Sequence, residues 1–327
     1  MEPHRAGGRL RALLQLLGFL AGIALFAWAI RLALSSENRE ALQRAWEAPV
    51  WLVGALVALT LASVVINGLI FWIALLPRRR LSSIDLVAVN SVAMLLSFLP
   101  FKLSALFRFF IHHRRDGVSI RDLLAWFGSV MLVALAALGP LALAGMLTPE
   151  VGGLWWLLVG GGVALSLGGC LLGGRMLAWA PKIDRMTLGA SRLLQSKRAV
   201  LGQAALRFLD VAIHSGRFAA AAAILGAPLE APVAVLLGTT YFLIGAMSPA
   251  GMLGAREGGL VILGALTLPA ALTGPNVASM ALMITATEVL VFIPAGGLGA
   301  IRLRLDRLLR GAHAPPSVSG HTDAAEA

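Results

Sequence analysis

Long apolar runs separated by short polar loops set the pattern of this chain. Residues 13–34, 50–76, 84–111, 123–146, 154–178, 199–225, 233–268 and 277–301 are dominated by aliphatic side chains, Phe and Gly. Roughly 20 such residues carry a helix across the hydrocarbon of a bilayer. The runs are continuous and do not alternate, so they predict helices and not barrel strands. Three runs are irregular. Pro100, Lys102 and Arg108 interrupt 84–111, 199–225 carries internal charges, and 233–268 is too long for one span and breaks at Ser248-Pro249-Ala250-Gly251. The first run follows Arg5, Arg9 and Arg11. Its length, with no small-residue cleavage site after it, predicts a retained helix and not a cleaved leader.

The charges in the loops set the topology. Basic residues gather at the N-terminus, at 78–80, at 112–121, at 175–198 and at 302–310, whereas 35–49, 148–153 and 227–231 carry acids and few bases. Lys/Arg-rich loops stay cytoplasmic. Eight simple spans would put the basic loop 112–121 on the wrong side. The conflict disappears if 84–111 is a re-entrant hairpin turning near Pro100, and 233–268 a second one turning near Pro249, Gly251 and Gly254. The expected fold is therefore an all-α polytopic membrane protein with about six full spans and two opposed re-entrant broken-helix hairpins. It forms a single transmembrane domain, 1–310, built from inverted halves at about 10–147 and 152–303. Both termini are cytoplasmic, and the polar tail 311–327 is disordered. Interrupted segments at matching places in inverted halves point to a midplane binding site.

Composition narrows the class. Hydrophobic residues make up 58% of the 327 and charged residues 13%, against about 25% charged in soluble domains. The net charge of +11 accordingly reads as cytoplasmic loops facing anionic headgroups, not as a nucleic-acid surface. Cys170 is the single cysteine, which excludes an intrachain disulfide and reads as a small packing residue.

Polar residues inside the apolar runs are the candidate site. Gln203, Arg207, Asp210, His214 and Arg217 recur at spacings of four, three, four and three. On a helix they share one narrow face. An Arg or Asp at a span centre costs about 2.5–3.5 kcal/mol, so the stripe must face protein or a watery groove. Two readings stand: a track that contacts an anionic headgroup, or a structural Arg207–Asp210 pair with Arg217 snorkelling outward. Arg256 and Glu257 follow the second break among glycines, either as part of an anion site or as a lock to another helix. Lys102 and Arg108 belong to the first break or serve as interfacial anchors. Glu288 lies mid-span beside Thr285 and Thr287 and is either functional or a counter-ion to a buried arginine. Asn67 and Asn90 read as ordinary interhelical hydrogen-bonding groups, and Gly18/Gly22 and Ala164/Gly168 as packing stripes. Adjacent His112 and His113 cannot share a helix face as metal ligands. No HExxH, GxSxG, CxxC or Walker sequence occurs, so no catalytic residue, metal or cofactor is expected.

Two motifs carry a family resemblance. The stretch 248–258, Ser-Pro-Ala-Gly-Met-Leu-Gly-Ala-Arg-Glu-Gly, resembles a pattern of Pro, Gly, then Gly-x-x-Glu-Gly. Asn90 through Arg108, followed by Asp116-Gly117-Val118-Ser119, resembles an Asn-bearing helix leading to Pro-x-(Lys/Arg)-x-Gly-Glu-x-x-Arg. Both are similar to the flippase-like transmembrane family of lysylphosphatidylglycerol synthases, which includes stand-alone bacterial proteins, among them a hopanoid-associated group. The chain departs from the pattern at Ser104-Ala105, where the family often has Gly-Glu. The resemblance implies a bacterial cytoplasmic (inner) membrane protein that translocates or binds a lipid with an anionic or zwitterionic headgroup. Lysyl transfer is not expected, because the chain stops soon after residue 301 without the aminoacyl-transfer domain. Expected partners are membrane lipids and, in a rival reading, a lipid-modifying enzyme to which the protein presents its lipid. A small-solute secondary transporter is a further alternative.

Overall fold

In the computed structural model, the described residues are 4–36, 39–99, 102–148, 151–179, 182, 188, 190–248, 252–267 and 274–309. Every described element is a helix. In chain order they are α1 (His4–Ala33), α2 (Arg39–Trp46), α3 (Val50–Leu75), α4 (Ser83–Leu96), α5 (Leu103–Arg114), α6 (Ile120–Leu147), α7 (Gly153–Trp179), α8 (Ser191–Leu194), α9 (Lys197–Ile224), α10 (Ala231–Met247), α11 (Ala255–Thr267), α12 (Gly274–Leu303) and α13 (Leu305–Leu309). Among the described residues, four helices are long and apolar enough to cross a membrane: α3, α6, α7 and Pro275–Leu303 of α12. At 1.5 Å per residue, the 28 residues of α9 are also long enough, but their charges lower the apolarity. The tail 311–327 and the turn residues Pro100, Pro249 and Gly251 lie outside the described residues; Gly254 lies within them.

Local sequence explains the helix ends. Ser119 caps α6, its hydroxyl accepting from the Asp122 amide at 3.1 Å and donating to the Asp122 carboxylate at 2.8 Å. Ser196 caps α9 through the Ala199 amide at 3.3 Å. Such side chains satisfy amides that the first turn leaves open.

The central pair is α3 and α9, flanked by α4 and α10. Between apolar helices in lipid, packing and hydrogen bonds replace the hydrophobic effect as the driving force. Small residues accordingly mark the contacts. A Cβ on Gly238 of α10 would stand 2.7 Å from the Ser215 amide nitrogen of α9, so these helices meet backbone to backbone. The contacts correspond between the halves: α3 with α4 and α9 with α10, α4 with α12 and α10 with α6, α1 with α12 and α7 with α6. The correspondence is incomplete. α11 packs along α1, whereas α5 and α7 do not pair in this way.

The broken runs each fold back on themselves. Asn90 of α4 meets Arg108 of α5 at 2.5 Å, and Asp85 meets Arg115 at 2.6 Å, so the start of α4 and the end of α5 share one end of the molecule. Arg302 reaches the same Asp85 at 2.9 Å, and Arg78 pairs with Asp122, which brings the ends of α3 and α12 and the start of α6 to that end too. Likewise Gly245 of α10 lies against Arg256, and Ile244 against Gly259 of α11. The residue before the second helix of each pair is left-handed: Lys102 (φ 53°) before α5 and Gly254 (φ 79°) before α11. The two breaks touch. The Met252 amide donates to the Ser97 carbonyl at 3.3 Å, and Lys102 Nζ donates to the Ala246 carbonyl at 3.1 Å.

One packing expectation fails. Ala164 and Gly168 of α7 are exposed, and a Cβ on Gly168 would meet open space. The face of α7 that packs is the one carrying Gly162 against Pro140, Ser166 on the Ala136 carbonyl and Gly174 against Leu194. Gly22 does pack, against the carbonyl of Leu253.

Candidate functional site

The stripe on α9 is buried throughout: Gln203, Arg207, Asp210, His214 and Arg217 are at most 6% exposed. Burying such groups is costly unless each finds a partner; neighbouring helices supply partners for Arg207, Asp210 and Arg217, whereas Gln203 Oε1 has none among the described residues. Asp210 accepts from Ser63 Oγ at 2.9 Å, Asn67 Nδ2 at 2.9 Å and Arg207 Nη1 at 2.8 Å. Arg207 also donates to Asn67 Oδ1 at 3.2 Å and stacks 4.3 Å from the Phe242 ring centroid. The pairing of Arg207 with Asp210 is thus real. Arg217 does not snorkel: it is 1% exposed, because its carboxylate partner lies inward on α12.

That partner is Glu288. It accepts from Arg217 Nη2 at 2.7 Å, from Arg256 Nη2 at 2.6 Å and from the Tyr241 hydroxyl at 3.4 Å. One carboxylate is therefore shared between two guanidiniums. Arg256 also lies 4.3 Å from the Tyr241 ring centroid. Arg217 Nη1 sits 3.1 Å from His214 Nδ1. A guanidinium only donates, so Nδ1 accepts and the ring proton resides on Nε2, which faces Asp210 at 3.8 Å. Glu257 has a different task from its neighbour Arg256. Its carboxylate accepts the Gly254 amide at 2.7 Å and the Thr285 hydroxyl, which pins the start of α11 to α12.

Arg108 stands apart. It is 7% exposed, bonded to Asn90 Oδ1 and stacked 4.1 Å from the Phe71 ring centroid, and its Nη1 has no hydrogen-bond partner. Arg108 is therefore no interfacial anchor. Neither it nor Lys102 has a carboxylate partner among the described residues.

These groups surround a cavity of about 190 Å³ at the meeting point of the two breaks. Lys102, Arg108, Arg207, His214, Arg256 and Glu288 line it, while Asp210 and Arg217 hold Arg207 and Glu288 from behind and Glu257 bonds Gly254 and Thr285 outside the lining. Counted over both rows, five cations (Lys102, Arg108, Arg207, Arg217, Arg256) face three carboxylates (Asp210, Glu257, Glu288). The described lining is buried or half-buried except at Met131 of α6, which is 42% exposed. The lining residues nearest it in kind, the half-buried Ala105, Phe127 and Phe242, come from α5, α6 and α10. Among the described residues no group of three or more His, Cys, Asp or Glu is placed to hold a metal.

Several partners escaped the sequence reading. Tyr241, the chain's single tyrosine, joins the Glu288 cluster; its uniqueness within an apolar run was the available signal. Ser63 gave none, since apolar helices routinely return such hydroxyls to their own carbonyls, as Thr60 does here; Thr285 stood out only as a neighbour of Glu288. Asn67 and Asn90 do more than bridge helices: each orients a buried arginine.

A family model described as lysylphosphatidylglycerol synthase TM region matches residues 16–296, and the chain belongs to that family. No curated protein and no solved structure matches it.

Proposed function

We propose that this member of the lysylphosphatidylglycerol synthase transmembrane-region family takes a lipid headgroup into its central cavity and passes it between leaflets. The observation that carries this is the cavity itself: a buried, cation-rich chamber whose most exposed lining residue, Met131, lies on a long apolar helix. A headgroup lodged among Arg108, Arg207 and Arg256 exchanges water for fixed donors, while its tails stay outside against α5 and α6. In this reading α1, α3, α6, α7, α9 and α12 cross the inner membrane. The α4/α5 and α10/α11 pairs are re-entrant from opposite sides, and both termini are cytoplasmic. Broken backbone at that depth is tolerated where it lines a cavity, and the presence of Ser97, Lys102 and Met252 in the lining supports this reading. The matching contacts of the two halves support an inverted repeat with its site at the interface.

The test is leaflet-resolved transport of fluorescent phospholipids in proteoliposomes. Wild type is expected to move lipid. Arg217→Ala, Arg256→Ala and the cavity-filling Ala105→Phe are expected to slow it at least tenfold. Lipid movement at the rate of empty vesicles would overturn translocation. If lipid nevertheless co-purifies and is displaced by Ala105→Phe, the chain presents lipid to a separate enzyme. Uptake of a water-soluble solute with no lipid bound would instead make it a solute transporter.

A further inference from the structure

The unequal distribution of charge in the cavity points to what kind of headgroup fits. Each of the three carboxylates is already engaged. Glu288 serves two arginines and Tyr241; Asp210 serves Arg207, Ser63 and Asn67; Glu257 serves a backbone amide and Thr285. An amine arriving with a headgroup finds one acid in the described lining, Glu288, already shared between two arginines. The cations are not saturated. Arg108 is more than nine-tenths buried with Nη1 unpartnered. Lys102 spends one of its three donors on the Ala246 carbonyl, leaving two.

The backbone at Lys102 supports the same conclusion. Its φ of 53° is left-handed, a conformation that costs a non-glycine residue free energy and is retained at functional sites when the surroundings enforce it. The matching position in the other half is Gly254, so the turn itself asks for glycine. A lysine there trades backbone ease for an ammonium at the mouth of the first break.

We propose that Arg108 and Lys102 form an anion subsite that selects a phosphodiester headgroup of net negative charge over a zwitterionic one. This rests on the lipid reading above. Phosphate oxygens would accept from Arg108 Nη1 and Lys102 Nζ, with Ser104 alongside in the lining. Ala105, one turn before Arg108 and also in the lining, leaves that guanidinium without the i, i+3 carboxylate that would neutralise it.

The experiment uses the full chain in phosphatidylcholine vesicles carrying a trace of fluorescent phosphatidylglycerol or phosphatidylethanolamine. Wild type is expected to handle the anionic probe about tenfold better, a ratio equivalent to about 1.4 kcal/mol. Arg108→Gln and Lys102→Gly are expected to erase the preference by slowing the anionic probe alone, and Arg108→Lys to keep most of it. Ala105→Glu, which leaves both cations in place, is expected to reduce or invert it. Equal handling of both probes by wild type, or a preference untouched by Ala105→Glu, would overturn the anion subsite while leaving lipid translocation standing. Failure to move either probe would remove the lipid reading and this one together. Excess inorganic phosphate separates the two sources of the same chemistry. Weak competition is expected for a lipid site; full competition, with no discrimination between the probes, would assign the subsite to a soluble anion and overturn the proposal.

Discussion

Replacing Glu288 with glutamine tests whether the cavity wall is held by one carboxylate shared between two guanidiniums. Glu288 is 1% exposed and accepts at 2.7 Å from Arg217 and 2.6 Å from Arg256. Each such charge-assisted bond contributes about 1.5–3 kcal/mol. Glutamine keeps the shape but offers an amide donor toward donors, and it leaves two buried guanidiniums without a counter-ion. Removing one partner of a buried pair costs about 3–5 kcal/mol, and the doubled pairing here favours the upper part of that range. At about 2–4 °C per kcal/mol for a large domain, purified Glu288→Gln should melt roughly 10 °C or more below wild type. The cycle matters more than the single value. Adding Arg256→Gln removes one stranded charge, so the double variant should recover stability by about 0.5–3 kcal/mol relative to additivity. Thermal unfolding in one fixed detergent, read by tryptophan fluorescence, measures all four corners. A shift below about 2 °C for Glu288→Gln, or strict additivity in the cycle, would refute the shared-carboxylate argument.

Two further predictions concern the backbone and the topology. At Gly254 (φ 79°) a Cβ would stand 1.6 Å from the Gly22 carbonyl oxygen, so Gly254→Ala combines left-handed strain of about 1–3 kcal/mol with overpacking of about 1–3 kcal/mol; its melting temperature should fall well below that of Gly168→Ala, whose added methyl meets open space, and equal values would show that α1 does not bear on the second break. In a Cys170→Ser background, single cysteines at positions 79, 113 and 304 should react with an impermeant thiol reagent from the same side of the membrane, and one at position 148, beyond the far end of the 28-residue α6, from the other; labelling of 113 from the side opposite 79 would exclude the re-entrant α4/α5 pair.

Much of this arrangement is legible in the sequence because charge inside an apolar run is expensive, and so its position carries information. The stripe from Gln203 to Arg217 and the breaks at 97–102 and 248–254 stand out for that reason, and the structure buries the stripe and brings the breaks together. What could not be read is who pairs with whom. Glu288 lies 71 positions from Arg217 and 32 from Arg256, and the choice between a counter-ion and a free acid depends on helix rotation, which periodicity alone does not fix. The same limit applies to Arg108, whose role depends on Asn90 and Phe71 of two other helices. The helix α2 within the loop 35–49 was also hidden, since its eight residues, half of them polar, are too few and too mixed to form an apolar run.

The contact between the two breaks is a parting line. Any continuous helix of this protein can be divided only by sacrificing several cooperative backbone bonds, yet among the described residues at this level the two folded-back pairs are joined by one main-chain bond, Met252 to Ser97, and one lysine on a carbonyl. Hydrogen bonds of this kind contribute about 0.5–1.5 kcal/mol each, so separating the tips demands little compared with displacing any of the long helices around them. On the proposed reading, motion of one half against the other would part this joint before any of the long helices.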